Sequence, residues 1–125
     1  MSPSKILLIW YREQAYNFPW RSNKYPYNIW ISEIMLQQTQ VQIVIPYYLN
    51  WIEKYPNIKI LQKETIDNLL LTWQGLGYYK RVQNILSTAK IIVKQYNGQF
   101  PNQYDDLIKL HGIGDYTASM ILSIA

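Results

Sequence analysis

The sequence predicts an all-α chain, and three observations carry that expectation. Val82, Ile85, Leu86, Ala89, Ile92, Val93 and Tyr96 recur at helical spacing, with Lys90, Lys94 and Gln95 between them. No segment shows sustained strand alternation bounded by hairpin residues. Helix start and stop residues punctuate the chain: Thr65 before one apolar segment, Gly75 and Gly77 after it, and Gly98 after the long period.

Each element follows in order. Residues 4–16 read as a first helix. Residues 17–28 hold Pro19, Pro26 and several Asn and Ser residues, so they read as a loop. Asn28 can N-cap a helix from Ile29 to Gln38. Thr39 begins the next, which reaches Tyr55, stops at Pro56 and is kinked by Pro46. Thr65 caps a short helix that ends before Gly75. The long helix follows, with Gly98 at its C′ position. A short helix near 102–109 leads through a Gly-rich turn into a last helix, 115–125. There is no repeat and no linker. Thr117 to Ala125 keep helical character with no stop residue, so a chain cut in mid-helix is expected.

Composition narrows the chemistry. The 125 residues suffice for one domain core. With no cysteine, this sequence has no thiolate nucleophile, no cysteine-ligated zinc and no iron–sulfur ligands of its own. A single histidine, His111, makes a multi-histidine metal site an unfavoured reading. The net charge of +4 and pI near 9.2 permit a polyanionic partner. No run approaches the roughly 20 apolar residues that span a bilayer. Ile6 to Trp10 is too short for a secretory core, so a cytoplasmic protein with no membrane partner is expected.

Three constellations can carry chemistry. In Leu110-His111-Gly112-Ile113-Gly114, two glycines allow positive φ and leave backbone N–H groups uncovered. With the N-terminus of the next helix they form a phosphate site, the helix–hairpin–helix pattern of sequence-independent DNA binders. A plain interhelical turn carries about equal weight. In Ile29 to Thr39, apolar residues surround a helix on nearly every side, with Glu33 among them. Apolar surroundings raise a carboxyl group's pKa, as a general acid at neutral pH requires. A solvent-facing stripe, or a pairing with lysine, is the alternative. In Trp73 to Arg81, glycines before paired aromatics and two cations can present a wedge and phosphate contacts to a duplex. Simple packing of the tyrosines is the alternative.

Taken together, these segments resemble the helix–hairpin–helix DNA glycosylases, and within them the MutY-type adenine DNA glycosylases. The resemblance runs from about Leu8 to Ala125. Its matching stretches are Phe18-Pro19-Trp20-Arg21, Trp30 to Gln42, Ile45 to Tyr48, Trp73 to Tyr79 and Leu110 to Leu122. The run Ser32-Glu33-Ile34-Met35-Leu36-Gln37-Gln38-Thr39-Gln40-Val41 is the most specific of them.

The resemblance implies a six-helix barrel over 18–125 with its hairpin at 108–117, and an incomplete second helical domain. The first helix, 1–17, would normally pack on C-terminal helices that this chain lacks. It implies a base-excision repair enzyme acting as a monomer on double-stranded DNA with A:8-oxoguanine or A:G mispairs. Adenine would be flipped out and its N-glycosidic bond hydrolysed. Glu33 matches the glutamate that protonates the leaving adenine and then helps activate water. Trp20 and Arg21 match the adenine pocket. Gln38 and Tyr78 match the side chains that wedge into the duplex. Thr39 and Leu76 match contacts to 8-oxoguanine, and Gly112 and Gly114 match the phosphate-binding hairpin. Tyr116 matches a pocket position where endonuclease III-type relatives carry a Schiff-base lysine, which implies a monofunctional glycosylase. The backbone carbonyls of Ile108, Leu110 and Ile113 match a monovalent-cation site. His111 stands where the family usually has proline, and reads as a turn residue. The family's catalytic aspartate, its 4Fe-4S cysteines and its Nudix-like domain would all fall after Ala125. A non-catalytic DNA-binding remnant, an endonuclease III-like glycosylase and a helical interaction module are the other readings.

Overall fold

The computed structural model describes residues 25–37 and 39–124, which contain helices and no strand. Seven helices follow one another among the described residues: α1 Pro26–Leu36, α2 Val41–Lys54, α3 Ile58–Leu61, α4 Ile66–Trp73, α5 Lys80–Tyr96, α6 Tyr104–Ile108 and α7 Asp115–Ile124. The helix expected over 4–16 lies outside the described residues.

Helix α1 departs from expectation at its start. Pro26 occupies its first turn, where a missing N–H costs nothing, and Tyr25 precedes it in extended conformation. Asn28 is therefore no cap. It is buried inside the helix, and its Nδ2 donates to the Tyr48 hydroxyl of α2 at 3.1 Å. Every residue from Tyr27 to Met35 is buried. A helix with no wet face must be enclosed, and α2 and α7 both pack on it. Phe100, in the loop after α5, meets the Trp30 ring edge-on at 5.5 Å.

Helix α2 begins at Val41 with Gln40 at its N-cap, two residues later than Thr39 suggests. Pro46 lies in its interior as expected. Val41, Val44, Tyr48 and Trp51 form its buried stripe. Helix α3 is an addition to the expected elements. Four residues are too few for a hydrophobic period, but the Asn57 side chain caps the Ile60 N–H at 3.0 Å. Thr65 caps α4 as expected, accepting from the Asn68 N–H at 3.2 Å. Helix α5 buries Val82, Ile85, Thr88, Ala89 and Ile92 and ends at Asn97 and Gly98, both with positive φ.

An aromatic cluster ties α1, α2 and α4 together. The Trp51 ring stands edge-on to Trp73 at 5.7 Å and to Tyr55 at 5.0 Å. Its Nε1 donates to the Tyr27 hydroxyl at 3.2 Å, and that hydroxyl donates to the Tyr55 carbonyl at 2.5 Å. Truncating Trp51 to alanine removes both the packing and the donor. Denaturant unfolding should show Trp51→Ala to be destabilised by about 3–5 kcal/mol.

Burial pushes the phenols of Tyr27 and Tyr48 above the ordinary tyrosine value of 10.0. Above that pH the unfolded chain ionises first and binds fewer protons, so stability is intact below pH 10.0 and falls as pH rises. Unfolding measured between pH 9 and 11 should show Tyr27→Phe flattening this decline by up to about 1.4 kcal/mol per pH unit. An unchanged slope would contradict the burial of that phenol.

Candidate functional site

Glu33 lies on the buried face of α1 and is 6% exposed. The solvent-stripe alternative is thereby removed. It is the one buried carboxyl among the described residues, and its helix contains Ile29, Trp30, Ile31, Ile34 and Met35 in the core. A carboxyl group so placed has lost most of its contact with water. Helix α7 packs on α1, which sets the helix of Glu33 beside the hairpin helix carrying Tyr116.

The turn between α4 and α5 is built from three positive φ values, at Gly75 (100°), Gly77 (77°) and Tyr78 (52°). For a bulky residue such as Tyr78 this conformation is an outlier that the surroundings must hold in place. Three side chains do so. Tyr47 of α2 donates to the Gln74 carbonyl at 2.7 Å. The Trp73 indole donates to the Gly77 carbonyl at 2.9 Å. Arg81 reaches the same carbonyl through Nη2 at 3.4 Å, and its guanidinium carbon lies 5.2 Å from the ring centres of both Trp73 and Tyr78. The result displays Tyr78 at the surface, 59% exposed. An open cleft of about 370 Å³ lies beside it, lined by Gln37, Tyr78, Tyr79, Lys80 and Arg81.

The hairpin joins α6 to α7. Leu110 and Ile113 are buried, and the Leu110 carbonyl accepts from the Ile113 N–H at 3.2 Å. Gly112 has a φ of 85°, which only glycine adopts freely. Gly114 is different. Its φ is not positive, and a Cβ there would meet nothing within 4 Å. No contact within the described chain requires glycine at 114, and its carbonyl accepts from the Ala118 N–H at 3.0 Å. The buried Thr88 hydroxyl of α5 donates to the His111 carbonyl at 2.6 Å and docks the turn on the long helix. The His111 side chain faces solvent, as expected. Asp115, at the start of α7, accepts from the Tyr104 hydroxyl, and its carboxylate raises the Tyr104 phenol above its ordinary value.

The buried acid on a central helix, the displayed tyrosine turn and the hairpin therefore lie within one helical body. Residues 31–123 match the family model described as HhH-GPD superfamily base excision DNA repair protein. The chain belongs to that superfamily. Within HhH-GPD proteins, it is 49% identical over 123 residues to an adenine DNA glycosylase of Buchnera aphidicola subsp. Schizaphis graminum, covering 98% of this chain and 35% of the relative. It is 52% identical over 120 residues to the adenine DNA glycosylase of Buchnera aphidicola subsp. Baizongia pistaciae, covering 95% and 34%. The chain thus spans about a third of the length of these relatives. Among solved structures, a thermostable thymine-DNA glycosylase superposes with a TM-score of 0.82 at 26% identity, covering 87% of this chain and 51% of that one.

The HhH-GPD match runs from the helix of Glu33 to the second helix of the hairpin. Within it, Thr39 is half-buried in the loop after α1, its hydroxyl on the Gln37 carbonyl at 3.4 Å. Leu76 faces the core, 6% exposed, so its side chain serves packing first. Tyr116 is 45% exposed on the first turn of α7. Trp20, Arg21 and Gln38 lie outside the described residues. Arg81 corrects the sequence reading. Its Nη1 donates to the carbonyls of Ile34 and Gln37, the second at 2.7 Å, so this half-buried cation ties two segments of the chain together. Burial lowers its pKa, while the neighbouring Tyr78 raises it. One clue in the sequence pointed to this role. The chain uses nine lysines and three arginines, so an arginine four residues after Gly77 is a candidate for a place where fork geometry matters. Lys80, exposed, remains available to a phosphate.

Gly75 is hemmed in, because a Cβ there would strike the Tyr47 hydroxyl, whereas one on Gly77 would meet only open space. Gly77→Ala should therefore cost about 1–2 kcal/mol, from its φ alone. Gly75→Ala should cost more in thermal unfolding, and Tyr47→Phe should narrow the difference by removing the struck oxygen. Equal costs in both backgrounds would show that Tyr47 does not crowd the turn.

Proposed function

We propose that this chain carries the acid and the duplex-gripping elements of an adenine DNA glycosylase, acting on adenine opposite 8-oxoguanine or guanine. The observation that carries the reading is the buried Glu33 within a chain about half identical, over nearly its whole length, to adenine DNA glycosylases. Glu33 delivers a proton to the adenine base as the bond from the base nitrogen to the sugar carbon breaks. The electron pair of that bond leaves with the base, and the sugar becomes oxocarbenium-like. The resulting carboxylate then takes a proton from the water that attacks the sugar carbon. Tyr116, a phenol where a strand-cleaving relative would carry an amine, cannot form a Schiff base, so the reaction ends at base release.

The remaining residues grip and open the duplex. Gly112 and Gly114 offer backbone N–H groups to phosphate, helped by the N-terminus of α7. Tyr78 wedges into the stack where adenine has left, together with Gln38. Thr39 meets the opposite base, Leu76 takes part only through its backbone because its side chain is buried, and Trp20 and Arg21 line the adenine pocket. The carbonyls of Ile108, Leu110 and Ile113 would hold a monovalent cation. These are oxygen donors of the right kind, and the Leu110 carbonyl keeps a lone pair beyond its bond to Ile113. The chain residues do not fit a 4Fe-4S cluster. They include no cysteine, and among the described residues no group of His, Cys, Asp or Glu could hold a metal. The aspartate that would stabilise the sugar cation is not assigned to any residue here. Asp115 is engaged by Tyr104. Residues 18–125 constitute the barrel part of the glycosylase domain in this reading.

A duplex with one A:8-oxoguanine pair tests the assignment. The chain is joined to the remaining length of its Buchnera relative, and adenine release is followed under single turnover. Glu33→Gln should lower the rate by about 10²–10⁴-fold or more while duplex binding persists. Undiminished release from Glu33→Gln would overturn the role of Glu33.

A further inference from the structure

At the C-terminal end of α1 the Ile34 carbonyl accepts from the Gln37 N–H at 3.2 Å and the Gln37 carbonyl from the Thr39 hydroxyl at 3.4 Å, and each oxygen has a second lone pair. Both carbonyls accept in addition from a single side-chain nitrogen of another helix, Arg81 Nη1. The other terminal nitrogen of the same guanidinium bonds the Gly77 carbonyl, and its face lies over Tyr78. A cation at a helix C-terminus also meets the negative end of the helix dipole. One planar group therefore touches both the segment leading from Glu33 to Thr39 and the turn displaying Tyr78. A left-handed Tyr78 needs such a restraint, because its own backbone preference is to relax.

We propose that Arg81 is a positioning residue that locks the Tyr78 turn to the end of the Glu33 helix, so that wedge and acid keep one relative placement. The consequence for base extrusion rests on the proposed function, but the lock itself does not. Lysine preserves the charge. Its one nitrogen cannot satisfy three carbonyls on two segments while stacking on two rings.

Two sets of measurements on the 125-residue chain test this. Without DNA, the Arg81 guanidinium N–H groups should give resolved, slowly exchanging NMR signals. Backbone order parameters at Gln37, Gly77 and Tyr78 should fall together in Arg81→Lys. A freely rotating guanidinium in the unsubstituted chain, a result that requires no variant to fold, would overturn the lock. So would unchanged order parameters in Arg81→Lys.

With DNA, the probe is a duplex carrying 2-aminopurine opposite 8-oxoguanine, whose fluorescence rises on unstacking. Arg81→Lys should lower the unstacking equilibrium about tenfold. Total affinity by anisotropy should stay within about threefold, because lysine retains the charge. In a Tyr78→Ala background, Arg81→Lys should add no further loss. A second, independent tenfold loss there would mean that Arg81 does not act through Tyr78. If the unsubstituted chain leaves 2-aminopurine stacked, the wedge assignment in the proposed function fails, and the order parameters and guanidinium signals still decide the lock.

Discussion

Helix α1 is buried through nine successive residues, Tyr27 to Met35, and most of what surrounds it answers that constraint. Such a helix has no polar face to give to water, so its polar groups turn to protein partners, although the buried Trp30 indole N–H finds none among the described residues. Asn28 finds the Tyr48 hydroxyl, and Ser32 donates to the Ile29 carbonyl at 2.8 Å. Its terminal carbonyls are met by Arg81 from α5. Glu33 differs in kind, since a carboxyl group is the costliest of these groups to enclose as an anion whatever its neighbours. A fold gains little stability from such a residue, and the proposed function gives its enclosure a chemical use.

Around that helix the chain arranges two elements of a different physical type. Both are short turns with left-handed residues, and both are held by side chains from neighbouring helices. Tyr47, Trp73 and Arg81 hold the turn of Tyr78, and Thr88 holds the hairpin at His111. The pattern is a rigid scaffold presenting backbone and aromatic groups at chosen points. In the proposed function, phosphate contact and base displacement would draw on these preformed conformations, which lowers the entropy cost of binding.

Much of this was legible in the sequence because it rests on local rules. The long period in α5, the Thr65 cap, the glycine punctuation and the apolar run around Glu33 all depend on residues a few positions apart. What escaped depends on residues far apart. Asn28 satisfies the cap pattern, but Pro26 starts the helix earlier and Tyr48, twenty residues away, claims the amide. Arg81 looks like a surface cation beside Lys80, yet its partners Ile34 and Gln37 lie 47 and 44 positions earlier. Helix α3 is too short for any periodicity. The placement of Glu33 was readable only as far as its apolar neighbours allowed, and its enclosure is a tertiary fact. The roles drawn from family resemblance, such as that of Leu76, stand apart from both kinds. Its burial shows why a matched motif alone does not settle what a side chain does.

The central claim is that the Gln37–Thr39 loop, the Tyr78 turn and the hairpin form one duplex-engaging surface around the helix of Glu33. Amide hydrogen exchange on the chain tests it most directly, with and without a duplex holding an uncleavable 2′-fluoro-deoxyadenosine opposite 8-oxoguanine. The account predicts new protection at Gln37 and Thr39, at residues 75–79 and at residues 111–115, with none on α3. Protection confined to one of these segments, or centred on α3 and the start of α4, would contradict it.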